Sequence, residues 1–265
     1  MRYGCPKTLL VAATLLLAAG NGIAQTPAEI AQQEVEAALK LTPNPDNGRE
    51  VFKVCAICHL PEGWGTQDGY YPQIAGQLQS VIIKQLADIR ARNRDNPTMR
   101  PFTAPRLLGG PQEIADVAAY ISQLPMNPEN GVGSGDDLEF GKKLFRENCE
   151  DCHGESGDGN AKKHIPSIRG QHFGYLTRQF EWIRSGRRRN ADQEMEKQIN
   201  RFTKREEYAV LDYVSRLGPA PKKRAPVDWL NPDFPNYSRD YPPPMAWDLP
   251  LAPGETAQPR NPAQP

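Results

Sequence analysis

The sequence predicts an all-α protein made of two tandem copies of one module, with an export signal in front and a proline-rich tail behind. Three observations predict it. A Cys-x-x-Cys-His motif occurs twice, a repeat runs at a nearly constant offset, and apolar residues fall three and four apart where periodicity is strong.

The chain opens with Arg2 and Lys7, an apolar run from about Thr8 to Gly20, and the small-x-small triplet Gly22-Ile23-Ala24. Residues 1–24 read as a secretory signal peptide cut after Ala24, which places the mature chain in the periplasm, an oxidising compartment. An uncleaved anchor is the alternative, but the run is shorter than the ~20 residues a span needs. Cys5 leaves with the signal. The other four cysteines all lie in the two motifs.

Charge excludes one function class. The chain balances 32 Lys+Arg against 32 Asp+Glu, and without Arg2 and Lys7 the balance is 30 against 32. A nucleic-acid binder would be strongly basic. No second apolar stretch is long enough to span a membrane, so contact with one is expected only through partner complexes.

Aligning Cys55 with Cys149 at an offset of 94 also aligns PQIAGQ (72–77) with PSIRGQ (166–171), and Gln85-Leu86 with Gln179-Phe180. At an offset of 93, EIADVAAYISQL (113–124) answers EEYAVLDYVSRL (206–217). Residues 125–137 between them are rich in Pro, Gly and Asn. The first domain is therefore expected over 42–125, a linker over 126–135 and the second domain over 136–218. Each domain closes on an amphipathic helix, with Ile114, Val117, Ala118, Ile121 and Leu124 in the first and Tyr208, Leu211, Val214 and Leu217 in the second. Tyr120 and Tyr213 are expected to pack in the cores.

The motifs carry the chemistry. Helical residues i and i+3 share a face about 5–6 Å apart, which lets Cys55 with Cys58, and Cys149 with Cys152, form two thioether bonds to one edge of a haem. His59 and His153 then reach the iron; Cys-x-x-Cys-His is the c-type haem attachment signature. Paired zinc motifs usually lie about 15–20 residues apart, whereas about 90 separate these. A disulfide in each pair would leave both histidines unexplained. A six-coordinate haem needs a ligand on its other face, and thioether sulfur raises the reduction potential. Met99 lies forty residues after His59, and Met195 forty-two after His153. Met126 and Met245 do not fit the repeat.

Together these residues, with Gly48 and Phe52, a proline thirteen residues after each histidine and Pro-x-Ile-x-Gly-Gln, resemble a class I cytochrome c module. The tandem pair resembles the dihaem cytochrome c4 family over roughly 45–218. The resemblance implies two covalently bound haem c groups with propionates facing each other across the domain contact. It also implies that the Pro72 and Pro166 carbonyls accept from the ring N–H of His59 and His153.

Three features depart from the pattern. Leu60 replaces the usual glycine after the first motif, so the first loop is expected to be reshaped around Trp64. Met195 is flanked by Glu194 and Glu196, which leaves His164 and His172 as substitute ligands; otherwise both are expected to face solvent. The third departure is the tail, 219–265, which holds 13 of the 26 prolines. Its composition cannot build a core. Trp229, Phe234, Tyr237, Tyr241 and Trp247 nevertheless imply that 220–250 lies extended along the haem domains while 254–265 is disordered. A partner-docking arm is the rival reading.

With both axial positions filled, the expected role is electron transfer rather than catalysis, one electron per haem, between a donor dehydrogenase or reductase and an acceptor such as an oxidase. The alternatives are a dihaem peroxidase or thiosulfate-oxidising enzyme, or a cytochrome subunit of a dehydrogenase complex. Arg184, Arg187, Arg188 and Arg189 precede Met195 as Arg90, Arg92 and Arg94 precede Met99. At least one arginine per domain is expected to pair with a propionate, the rest forming a rim toward an acidic partner.

Overall fold

The computed structural model describes Met1 and residues 24–237. Residues 2–23, most of the expected signal peptide, and the tail beyond Tyr237 with Tyr241, Met245 and Trp247, lie outside the described residues. Among those described the chain is helical, with isolated bridges and no named strand.

The first module holds α1 (Pro27–Leu39), α2 (Pro45–His59), α3 (Gln79–Arg90), two short turns α4 (Arg100–Thr103) and α5 (Pro105–Leu108), and α6 (Pro111–Gln123). Helix α1 lies outside the repeat and was not expected. Its signal is in the sequence: Thr26 and Glu29 form a capping box, with Thr26 N–H donating to Glu29 Oε2 at 2.7 Å and Glu29 N–H to Thr26 Oγ1 at 3.2 Å. Ala31, Val35 and Ala38 are buried, and the helix packs on α3 and α6. The Glu34 carboxylate pairs with Arg90, so Arg90 is used locally.

The second module repeats the plan with α7 (Leu138–Asn148), α8 (Glu150–His153), α9 (Phe173–Arg184), α10 (Gln193–Arg201) and α11 (Lys204–Ser215). Its first and last helices cross as α2 and α6 do, and a glycine permits each crossing. A Cβ on Gly48 would lie 2.1 Å from the Asp116 carbonyl oxygen, and one on Gly141 would lie 2.0 Å from that of Ala209. Phe52 meets Tyr120 at 5.2 Å between ring centroids, and Phe145 meets Tyr213 at 5.6 Å.

The last helix of the first module buries its whole predicted stripe, Ile114 through Leu124. In the second, Leu211 and Val214 are buried, but Tyr208 is 47% exposed, against expectation. Its ring lies at the helix edge, 5.9 Å from Phe173, and Ala209 and Val210 fill the core in its place.

The described part of the tail turns back onto the first module. It starts with a 3-10 turn (Pro221–Lys223), and Ala225 N–H donates to Met126 O at 2.9 Å. Trp229 then lies tilted against Trp64, 5.8 Å between ring centroids, and Phe234 lies 5.9 Å from Phe52. Tyr237 OH donates to Ala56 O, between the two motif cysteines, at 2.9 Å. Asn231 is buried and donates to Pro61 O at 2.6 Å. Through 237 the tail is thus part of the first module's wall, turned rather than fully extended.

Candidate functional site

Helix α2 runs unbroken through Cys55, Cys58 and His59. In the second module α7 stops at Asn148, Cys149 is the junction, and α8 carries Cys152 and His153. The turn stays helical in its hydrogen bonds, since His153 N–H donates to Cys149 O at 2.9 Å. All four thiols are free of disulfides. Burial pushes the thiols of Cys55 and Cys149 up to about 12. Among the described residues no three of His, Cys, Asp and Glu gather as a metal site.

His59 and His153 are both buried. His59 Nδ1 lies 3.0 Å from Pro72 O, and His153 Nδ1 lies 3.0 Å from Pro166 O. A carbonyl can only accept, so each Nδ1 carries the proton and each Nε2 keeps a bare lone pair. Burial holds both rings below the ordinary imidazole range, so they are neutral. A paired thiol and a neutral, oriented imidazole with Nε2 free are what a covalent haem requires of its protein.

The loop behind each histidine is the same in both modules. Gly65 N–H donates to His59 O at 2.9 Å and Gly159 N–H to His153 O at 2.8 Å. Gly65 and Gly159 have φ of 68° and 75°, and a Cβ on either would lie within 2.6 Å of the proline carbonyl. The expected reshaping at Leu60 is not found. Leu60 takes φ 62°, ψ 160°, close to the φ 81°, ψ 156° of Gly154. Trp64 instead donates its indole N–H to Pro125 O at 2.8 Å.

Met99 caps α4 and Met195 lies in the first turn of α10; both are half-buried. Glu194 and Glu196 are exposed on either side of Met195, because neighbouring helical residues point about 100° apart. The Met195 side chain packs against the second core.

The histidine substitutes behave differently from expectation. His172 is buried rather than solvent-facing: its Nδ1 accepts from Gly131 N–H at 3.0 Å and its Nε2 lies 2.7 Å from Trp64 O. Both ring nitrogens are committed, so it has no lone pair for a metal. His164 is half-buried with φ 54°, and its Nδ1 has no hydrogen-bond partner.

A cluster that sequence reasoning touched only in part lies between the modules. Arg94 donates to Gln85 Oε1 at 2.8 Å and across to Gln179 Oε1 at 2.9 Å. Arg188 donates to Gln179 Oε1 at 3.0 Å and across to Gln85 Oε1 at 3.3 Å. All four residues obey the offset of 94, which makes the cluster a pseudo-two-fold. The two guanidiniums face neutral acceptors, and burial, with the Arg94 charge adding, holds Arg188 down to about 10. Arg94 Nε, Arg188 Nε and Gln179 Nε2 are buried without partners. Two guanidiniums, one buried and one half-buried, whose Nε donors are buried without partners suit anionic carboxylates, which haem propionates supply. Arg94 and Arg188 thus turn toward the module interface, whereas Arg187 and Arg189 are exposed.

The family model described as cytochrome c matches residues 45–125 and again 138–218. A cytochrome c4 of Thiocapsa roseopersicina is 32% identical over 146 residues, 52% of this chain and 72% of its own length. A thiosulfate dehydrogenase electron acceptor of Stutzerimonas stutzeri is 30% identical over 174 residues, 62% of this chain and 79% of its own. The solved reduced cytochrome c4 of Pseudomonas stutzeri aligns at a TM-score of 0.57 and 26% identity, over 66% of this chain and 98% of that one. The chain belongs to the cytochrome c family as a tandem member like the dihaem cytochromes c4, with two covalent haem c groups.

Proposed function

We propose that this cytochrome carries single electrons in the periplasm between a donor dehydrogenase or reductase and a terminal acceptor such as an oxidase. In this reading Cys55 and Cys58 would hold the first haem, with His59 and Met99 as the residues that would bind its iron; Cys149 and Cys152 would hold the second, with His153 and Met195. Pro72 and Pro166 orient the histidines. The bound groups supply the one-electron chemistry, and the chain sets ligand orientation, burial and charge.

The observation that carries the reading is the matched pair of locked histidines, each with Nε2 bare, joined by a matched methionine in each module. With a histidine and a methionine from each module on its iron, neither haem would be open to substrate, which favours a carrier over an enzyme. Export rests on the leader sequence; among the described residues no helix is long and apolar enough to cross a membrane.

The test is co-purification from native membranes and periplasm, followed by reduction kinetics with each candidate donor. A carrier is reduced and reoxidised by partners and turns over neither peroxide nor thiosulfate alone. A second reading names the donor. The relative described as a thiosulfate dehydrogenase electron acceptor favours a thiosulfate-oxidising enzyme, and reduction of this cytochrome by such an enzyme plus thiosulfate, measured by stopped flow, decides it.

A further inference from the structure

We propose that each module tunes the other module's iron-binding histidine through one hydrogen-bonded peptide at the interface. The inference rests on the reading of His59 and His153 as iron ligands.

The relay is built from single peptide units. Pro72 O, which accepts from His59 Nδ1–H, and Gln73 N–H belong to the same peptide. That N–H donates across the interface to Gln171 Oε1 at 3.1 Å, and Gln171 Nε2 donates back to Gln73 O at 2.8 Å. The second module has the mirror arrangement. Pro166 O accepts from His153 Nδ1–H, and the N–H of that peptide, on Ser167, donates to Gln77 Oε1 at 3.0 Å, while Gln77 Nε2 donates to Ser167 O at 2.8 Å. Each glutamine oxygen also accepts from the next residue's N–H, Leu78 at 2.9 Å and His172 at 3.0 Å, which fixes which end of the amide faces the relay.

Hydrogen bonds in series polarise one another, most of all at low local dielectric. An acceptor on the peptide N–H draws electron density onto its carbonyl oxygen. The carbonyl then accepts more strongly from the histidine, and the imidazole becomes a better donor to iron, which favours the oxidised state. Gln171 therefore lowers the potential of the first module's haem, and Gln77 that of the second.

The arrangement is crossed, which separates it from a merely structural contact. A glutamine that only glued the modules would act on both sites, or on neither. Gln171 and Gln73 are buried, whereas Gln77 and Ser167 are half-buried, so the relay into the first module is the stronger one.

The experiment uses the full-length dihaem protein with Gln171→Met and, separately, Gln77→Met, which keep side-chain length and remove both polar ends. Nuclear magnetic resonance follows the Nδ1–H protons of His59 and His153 in the reduced protein, and the paramagnetically shifted ring protons through a redox titration. Gln171→Met is expected to raise the potential of the haem bound by His59 and move the His59 Nδ1–H resonance, with His153 unchanged. Gln77→Met is expected to do the reverse, by a smaller shift. Shifts confined to the variant's own module, equal shifts in both, or none would overturn the proposal. Loss of the module contact, read as an increased radius of gyration in solution scattering, would also overturn it, because the glutamines would then be glue. Diamagnetic ring protons for both histidines in the oxidised unmodified protein would sink the ligand reading itself, a result distinguishable from failed crossing.

Discussion

His172 Nε2 lies 2.7 Å from the Trp64 carbonyl oxygen, so a histidine of the second module holds the loop behind the first motif. Its other nitrogen accepts from Gly131 of the linker at 3.0 Å. One neutral imidazole thus ties three segments of the chain together.

Burial holds this ring below the usual histidine range. The unfolded chain, with an ordinary value of about 6.5, therefore binds more protons than the native one below that pH. The neutral ring's contribution is complete above about 6.5 and is lost as pH falls toward the folded value. His172→Phe should cost about 1–3 kcal/mol at pH 7.5, because the part-buried Trp64 carbonyl and Gly131 N–H lose their partner. The gap in denaturant midpoint between native protein and variant should narrow from pH 7.5 to 5. A gap that stays constant would show that His172 does not titrate on unfolding.

Leu60 and Gly154 make a second test. Both adopt a positive φ with extended ψ, a region nearly restricted to glycine, where a side chain costs of order 1–3 kcal/mol. A Cβ at Gly154 meets nothing nearer than 3.9 Å, so Gly154→Ala isolates the backbone term and should destabilise the second module by about 1 kcal/mol. Leu60→Gly should stabilise the first, by less than the backbone term because a half-buried side chain is lost. Thermal unfolding of the two variants should move in opposite directions.

How much of this was legible follows from the range of each interaction. The repeat, the motifs and the paired Gln85/Gln179 and Arg94/Arg188 positions are periodic in sequence, so alignment of the chain on itself finds them. His172 is not periodic in role: it is buried by Trp64 and Gly131, which approach it only after the modules dock. Leu60 could be flagged as a departure, but whether the loop moved or the residue strained depends on hydrogen bonds from Gly63 and Gly65. Helix α1 carries a local capping signal at Thr26 and Glu29, hidden by its place between the leader and the repeat. Tyr208 fits a helical stripe and yet lies at its edge, since spacing gives a face to within a residue or so.

Gly48→Ala and Gly141→Ala test the helix crossings. Each Cβ would meet backbone at 2.1 or 2.0 Å, so a helix must shift. We expect destabilisation of about 3 kcal/mol, confined to the first module for Gly48→Ala and to the second for Gly141→Ala. Haem absorbance and far-ultraviolet dichroism during guanidinium titration should show one early and one unchanged transition.

The arginine pair at the module interface bears on potential. If Arg94 and Arg188 face haem carboxylates, removing one positive charge favours oxidised iron. Arg188→Gln should therefore lower at least one midpoint potential and make it more pH-dependent, because the carboxylate loses the cation that keeps it ionised. Unchanged potentials in spectroelectrochemical titration would return the pair to a structural role.

The exposed arginines carry the last prediction. Arg187 lies against the Trp182 ring at 4.8 Å, and Arg189 donates to Arg92 O at 2.6 Å, yet both remain exposed to solvent. Surface charges of this kind contribute little to stability and act chiefly on encounter. The Debye length falls from ~30 Å at 0.01 M salt to ~10 Å at 0.1 M, so steering of an acidic partner should fade over that range. Arg187→Gln with Arg189→Gln should slow bimolecular electron transfer at low salt and flatten its salt dependence, with both haems bound and potentials unchanged. Arg188 stays in place, because it belongs to the interface and its loss would mix two effects. Equal rates and equal salt slopes for native protein and variant, measured by stopped flow with an acidic redox protein, would remove these residues from the docking surface.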